Sequence, residues 1–119
     1  MNYERTTGKL TKDSGELIGI GYSGHGEGKN NPSMEQIHNV GPLPKGKYMV
    51  GEPYTNPHSG PFTMNLTPDP SNEMYGRSGF MLHGDSIPNP GTASTGCIIM
   101  NRAVRESVHA GSDKVINVN

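Results

Sequence analysis

Phe80-Met81-Leu82-His83-Gly84-Asp85 and Ser94-Thr95-Gly96-Cys97-Ile98-Ile99-Met100 are the two stretches that decide the reading of this chain. Each joins an apolar run to a glycine-containing turn. Phe80 to Leu82 reads as a short buried strand ending at His83, and Ile98 to Met100 as another starting just after Cys97. The loop between them carries Pro88, Pro90 and Gly91, residue types that set turn geometry each for its own reason. Loops of about a dozen residues without secondary structure are uncommon in small domains and are often functional. Two such strands side by side would bring together the single cysteine of the chain and a histidine fourteen positions before it.

That pair has a definite chemistry. A free thiol, with a pKa of about 8.5, is mostly protonated at neutral pH. A neighbouring imidazole can take its proton and leave a strong nucleophile, which predicts rapid alkylation near neutral pH. Gly96 lets the backbone approach a substrate closely, and the N–H groups of Gly96 and Cys97 could face a developing oxyanion. The plainer alternative is a packed, inert cysteine and a histidine held in a turn.

Outside these stretches, composition sets the bounds. A chain of 119 residues is the size of one domain, here spanning residues 1–119. Only 30% of it is hydrophobic, and it holds 17 Gly and 10 Pro. A thin core, many turns and no long stretch of 3.6-residue periodicity favour a mainly β fold with one or two short helices. The net charge of −1 gives no attraction to nucleic acid or to an anionic membrane. One cysteine excludes an internal disulfide. Residues Met1 to Gly8 have no apolar segment of the signal-peptide kind, and no stretch is long and apolar enough to span a bilayer.

Along the chain, Asp13-Ser14-Gly15 reads as a turn. Leu17 to Tyr22 reads as a strand whose alternate glycines, Gly19 and Gly21, indicate close backbone approach. The Gly- and Asn-rich segment 23–32 lacks the spacing of a nucleotide-binding loop. Ser33-Met34-Glu35-Gln36 fits a capping box that opens one helical turn. In Gly46 to Val50, Tyr48 and Val50 share one face and Met49 takes the other. Asn101 is placed to cap a helix from Arg102 to Ala110, stopped by Gly111, with Val104 and Val108 as its apolar stripe. Lys114 to Val118 reads as a closing strand.

Three blocks, in order, resemble the YkuD-type L,D-transpeptidase catalytic domain. Gly41-Pro42-Leu43-Pro44-Lys45-Gly46-Lys47-Tyr48 is similar to that family's turn and strand. Phe80 to Gly84 is similar to its strand ending in His-Gly, and Ser94 to Ile98 to its nucleophile motif. Thr95 stands where the family usually has His, and Ile99 where it usually has Arg. With these departures the chain resembles the divergent L,D-transpeptidase effectors of type VI secretion.

The resemblance implies an L,D-transpeptidase-like β-sandwich acting on peptidoglycan stem peptides without a cofactor. Cys97 would be the nucleophile and His83 the base. A backbone carbonyl would orient the His, with the Ser94 position the expected source, and Gly96 and Cys97 would form the oxyanion site. Substrate-facing candidates are Thr95, Arg77, Tyr75 and Asp85, with Arg77 or Arg102 replacing the missing Arg at the substrate carboxylate. The implied products are those of an L,D-carboxypeptidase or of D-amino acid exchange. The implied setting is synthesis in the cytoplasm and delivery by a type VI component to the periplasm of a target cell. A cognate immunity protein is the implied partner in the producer.

Two other readings stay open. One is a metal-assisted cell-wall amidase using His83, Asp85 and another His, although no His pair shows metal-ligand spacing. The other is a non-catalytic wall-binding or partner-binding module. His25, His38, His58 and His109 read as solvated, Asp85 also reads as a cap for turn N–H groups, and the Met residues read as core filler.

Overall fold

The computed structural model describes all 119 residues, and the chain is mainly β with a mixed sheet. Its strands are β1 (Asn2–Glu4), β2 (Lys9–Thr11), β3 (Leu17–Ile20), β4 (Tyr22–Ser23), β5 (Gly46–Val50), β6 (Tyr54–Asn56), β7 (Gly60–Pro68), β8 (Met81–His83), β9 (Ile98–Ile99) and β10 (Val115–Val118). One α-helix, α1, covers Arg102–Ala110.

The spatial order is β3-β2-β1-β10-β5-β7-β8-β9-β4, with β6 on β7. The long strand β7 lies between β5 and β8: Leu66 to Pro68 pair with β5 on one edge, while Met64 and Asn65 pair with β8 on the other. Apolar residues from β1, β2, β5, β7, β8, β9, β10 and the helix join one core. Tyr48 and Val50 of β5 are buried in that core, and Met49 faces outward at 53% exposure, as the alternation requires.

The helix follows its sequence signals. The Asn101 side chain accepts the Val104 N–H, and the Gly111 N–H closes on the Ser107 carbonyl. Such a cap contributes about 1 kcal/mol. Val104 and Val108 join the core, each burial contributing about 1.5 to 3 kcal/mol. Val104 lies against Gly19, where a Cβ would overlap it, and a Cβ on Gly21 would overlap the Ile99 carbonyl. The alternate glycines of segment 17–22 thus mark close approach, and Gly21 separates β3 from β4.

One local expectation is corrected. Ser33 does not cap a helix; Pro32–Met34 form a 3-10 turn whose cap is Asn31, and Glu35 turns instead to Arg5 at 2.9 Å and to the Lys45 N–H at 3.0 Å. The buried guanidinium of Arg5, directly after β1, offers Glu35 a charge-assisted partner.

Candidate active site

Strands β8 and β9 are parallel neighbours, registered Leu82 to Ile98 and His83 to Ile99. Leu82 and Ile98 point into the core. The intervening positions, Met81, His83, Cys97 and Ile99, therefore share the opposite face. Cys97 lies across from Met81, and His83 lies two residues farther along the same strand. Two rises along the strand and one strand spacing across put their Cα atoms roughly 8 Å apart.

The sulfur and the ring nevertheless keep separate partners. Cys97 Sγ accepts the Met81 N–H at 3.3 Å and lies 3.9 Å from the Gly79 carbonyl. It opens on a polar cavity of about 200 Å³ lined by His38, Arg77, Phe80, Thr95 and others. Nδ1 of His83 is 2.8 Å from the Gly84 carbonyl, and the ring lines a wider groove of about 660 Å³. No hydrogen bond joins the two side chains. A carbonyl only accepts, so Nδ1 carries the proton and Nε2 keeps its lone pair. The orienting carbonyl is thus that of Gly84 and not one from the Ser94 position.

Burial governs both protonation states. It raises the Cys97 thiol above its ordinary value, and the Met81 N–H and the Arg77 charge offset this only in part. Burial also pushes the His83 imidazole below its ordinary value, against the Gly84 hydrogen bond and with help from the nearby Arg105 charge. The resting pair is thiol and neutral imidazole. The expectation of a pre-ionised, quickly alkylated thiolate is corrected accordingly.

Ser94 is a loop fastener. Its buried Oγ donates to the Cys97 carbonyl at 2.6 Å and accepts the N–H groups of Gly24 at 2.9 Å and Gly96 at 3.1 Å. Ser23 adds a second tie, its Oγ donating to the Gly96 carbonyl at 2.8 Å. The Gly96 N–H is therefore spent, which corrects its expected place in an oxyanion site. The Cys97 N–H has no partner within the chain. Gly96 is glycine for two other reasons: its φ is +143°, and a Cβ would lie 2.6 Å from Arg77 Nη2 and 2.7 Å from the Phe80 ring.

The substrate-facing candidates are dispersed. Arg77 is buried, and its Nη1 and Nη2 donate to the carbonyls of Glu35, Pro42, Gly41 and Thr95. With four of five donors committed, it holds the cavity wall and has little left for a carboxylate. Thr95 is exposed at the rim of the same cavity. The Tyr75 ring lies on a different groove, with Lys45 and Glu73, though its carbonyl lies 2.8 Å from His38 Nε2.

Asp85 accepts the Tyr22 hydroxyl at 2.6 Å and the N–H groups of Ser86 and Gly91, pinning the loop beyond His83. Burial opposes its charge, but those hydrogen bonds outweigh it and hold the carboxyl below its ordinary value. The Tyr22 hydroxyl, pushed up to about 12 by burial and by Asp85, stays a donor. Asp85 thus fills the loop-capping role. Arg102 pairs with Glu106 at 3.2 Å and lies over the Phe62 ring, outside both cavities. Nowhere do three His, Cys, Asp or Glu side chains converge as metal ligands.

Residues 19–117 match the family described as the Tlde1 domain. The chain belongs to the Tlde1 domain family. By its name this is the family of type VI secretion L,D-transpeptidase effectors. No curated protein matches the chain. No helix of this Tlde1 domain is long and apolar enough to cross a membrane.

Arg105 went unread in the sequence, while His38 and His58, read as solvated and exposed in the structure, also line the two cavities. His38 lines the Cys97 cavity, and His58 and Arg105 line the His83 groove. For Arg105 a signal existed: at position four of α1 it follows Val104 on the buried side of the helix, next to the apolar stripe. His38 and His58 come from turns, and nothing in their local sequence distinguishes them from solvated residues.

Proposed function

We propose that this Tlde1 domain is a cysteine acyltransferase or hydrolase of peptidoglycan stem peptides, releasing the terminal D-alanine of a tetrapeptide stem. The observation that carries this reading is the parallel register of β8 and β9. It sets Cys97 and His83 on one face, each at the edge of an open cavity, with the imidazole Nε2 unspent. Catalytic hydrogen bonds are often long in a free enzyme and tighten on the substrate.

In the proposed reaction the Cys97 sulfur attacks the carbonyl carbon at the L-centre of meso-diaminopimelate while His83 Nε2 takes the thiol proton. A neutral imidazole, kept so by burial, is the form that can accept it. The oxyanion meets the unspent Cys97 N–H. The C–N bond then breaks, His83 returns the proton to the departing amine, and a thioester remains. Water gives a tripeptide; the amine of a D-amino acid gives exchange. Delivery by type VI secretion to a target-cell periplasm, and an immunity protein in the producer, belong to the same reading and are supported by the family membership.

The test is incubation with tetrapeptide muropeptides, with and without added D-amino acids, followed by mass. The parent should release D-alanine, and Cys97→Ala and His83→Ala should each release none while keeping the fold. Undiminished turnover in either variant sinks the mechanism. The metal-assisted alternative would require His83 and Asp85 to share an ion, yet His83 Nδ1 faces the Gly84 carbonyl and the Asp85 oxygens are held by Tyr22, Ser86 and Gly91.

A further inference from the structure

Arg105 projects from α1 into the floor of the His83 groove and is only 7% exposed. Its Nε donates to the Met100 carbonyl at 3.0 Å, and its Nη1 to the carbonyls of Pro61 and Phe62, both at 2.9 Å. Nη2 has no partner. It is not sealed either, because the only buried polar side-chain atom without a partner is the Tyr3 hydroxyl. Two N–H donors of a positioned guanidinium therefore face the groove.

No carboxylate of the chain pairs with Arg105: Glu106 is taken by Arg102, and Asp85 by the loop. A buried guanidinium without an anion is uncommon. Arg77, also buried, shows the contrast, since both of its terminal nitrogens are fully committed to carbonyls. The other titratable groups on the groove are His58, His83 and Asp85, and the Asp85 oxygens are already held by Tyr22, Ser86 and Gly91 rather than by Arg105. An anion from outside is what the site lacks.

The position of Nη2 says which anion. A Cβ on Gly84 would lie 2.7 Å from Nη2, so the guanidinium packs on the residue that follows His83. His83 must hand its proton to the departing amine. In an amino acid the carboxylate oxygens lie only roughly 3 Å from that amine, one carbon away. We propose that Arg105 Nη2 binds the free carboxylate of the departing, or incoming, D-amino acid. The site would then act only on a stem whose last residue carries a free carboxylate. The inference rests on the stem-peptide reading above and adds to it the group that recognises the leaving residue.

The experiment compares two substrates, a tetrapeptide stem ending in D-alanine and the same stem ending in D-alaninamide. The parent should cleave the amide with kcat/KM lower by about 10- to 100-fold, the range expected for losing a charged hydrogen-bonded pair. Arg105→Gln should lose a similar factor on the acid and erase the preference, which separates carboxylate recognition from any difference in leaving group. Parent rates within about twofold for the two substrates overturn the proposal without recourse to a variant.

Binding of free D-alanine and of D-alaninamide to the parent, followed by NMR, supplies a second readout. If neither stem is cleaved, the stem-peptide reading fails on its own. D-alanine preferred over its amide then sustains the carboxylate site, and equal or absent binding overturns it.

Discussion

Replacing Ser94 by Ala removes one oxygen and strands three backbone groups. The Oγ now serves the N–H groups of Gly24 and Gly96 and the carbonyl of Cys97, and Ser94 is fully buried. A net hydrogen bond contributes about 1 kcal/mol, and a buried group left unpaired costs about 1 to 3 kcal/mol. A water entering the vacated space would recover part of this. The expected loss is therefore about 2 to 4 kcal/mol, a large share of the stability of a small domain.

For 119 residues, a loss of about 3 kcal/mol corresponds to a fall in Tm of roughly 12 °C. Urea unfolding with linear extrapolation measures the first quantity, and a thermal scan the second. Because the same oxygen ties segment 94–97 to Gly24, just past β4, D-alanine release should fall with it. A loss under about 0.5 kcal/mol at unchanged m would refute the account of Ser94 as the fastener of the nucleophile loop.

The remaining predictions concern groups with separate partners. Burial raises the Cys97 thiol, so alkylation by iodoacetamide should be slow at pH 7 and still climbing above the ordinary thiol range; a plateau below about pH 8 would contradict this.

His83 has a folded pKa below its ordinary 6.5. The unfolded chain therefore binds more protons just below that value, so the contribution of His83 to stability is complete above it and lost as pH falls toward the folded pKa. D-alanine release should rise with pH through that same folded value, and an NMR titration placing His83 above 6.5 would contradict both statements.

Gly21→Ala drives a methyl into the Ile99 carbonyl between β4 and β9 and should cost about 3 kcal/mol or more in urea unfolding; wild-type stability would show that the strands can part without cost. Arg77→Lys cannot reproduce four carbonyl contacts and should lower stability by about 3 kcal/mol. An unchanged Tm with a raised KM would instead restore Arg77 to the substrate.

What sequence alone could determine about this protein is what lies within a few residues of itself. The alternation in Tyr48-Met49-Val50, the Asn101 and Gly111 ends of α1, and the close-packing glycines 19 and 21 all appear in the structure as written. So do the strands at residues 81–83 and 98–99, because apolar runs bounded by turn residues need no distant partner to be legible.

Tertiary structure decided which nitrogen of His83 is free, which carbonyl orients it, and what each charged candidate does. Arg77 reaches residues 35 to 42, Asp85 reaches Tyr22, and Arg105 reaches Pro61 and Phe62. A charged or polar side chain takes whatever unpaired group the fold sets beside it, and separations of this length leave no periodic trace in the chain. That is also why the protonation states of Cys97 and His83 follow from burial rather than from the motif that contains them.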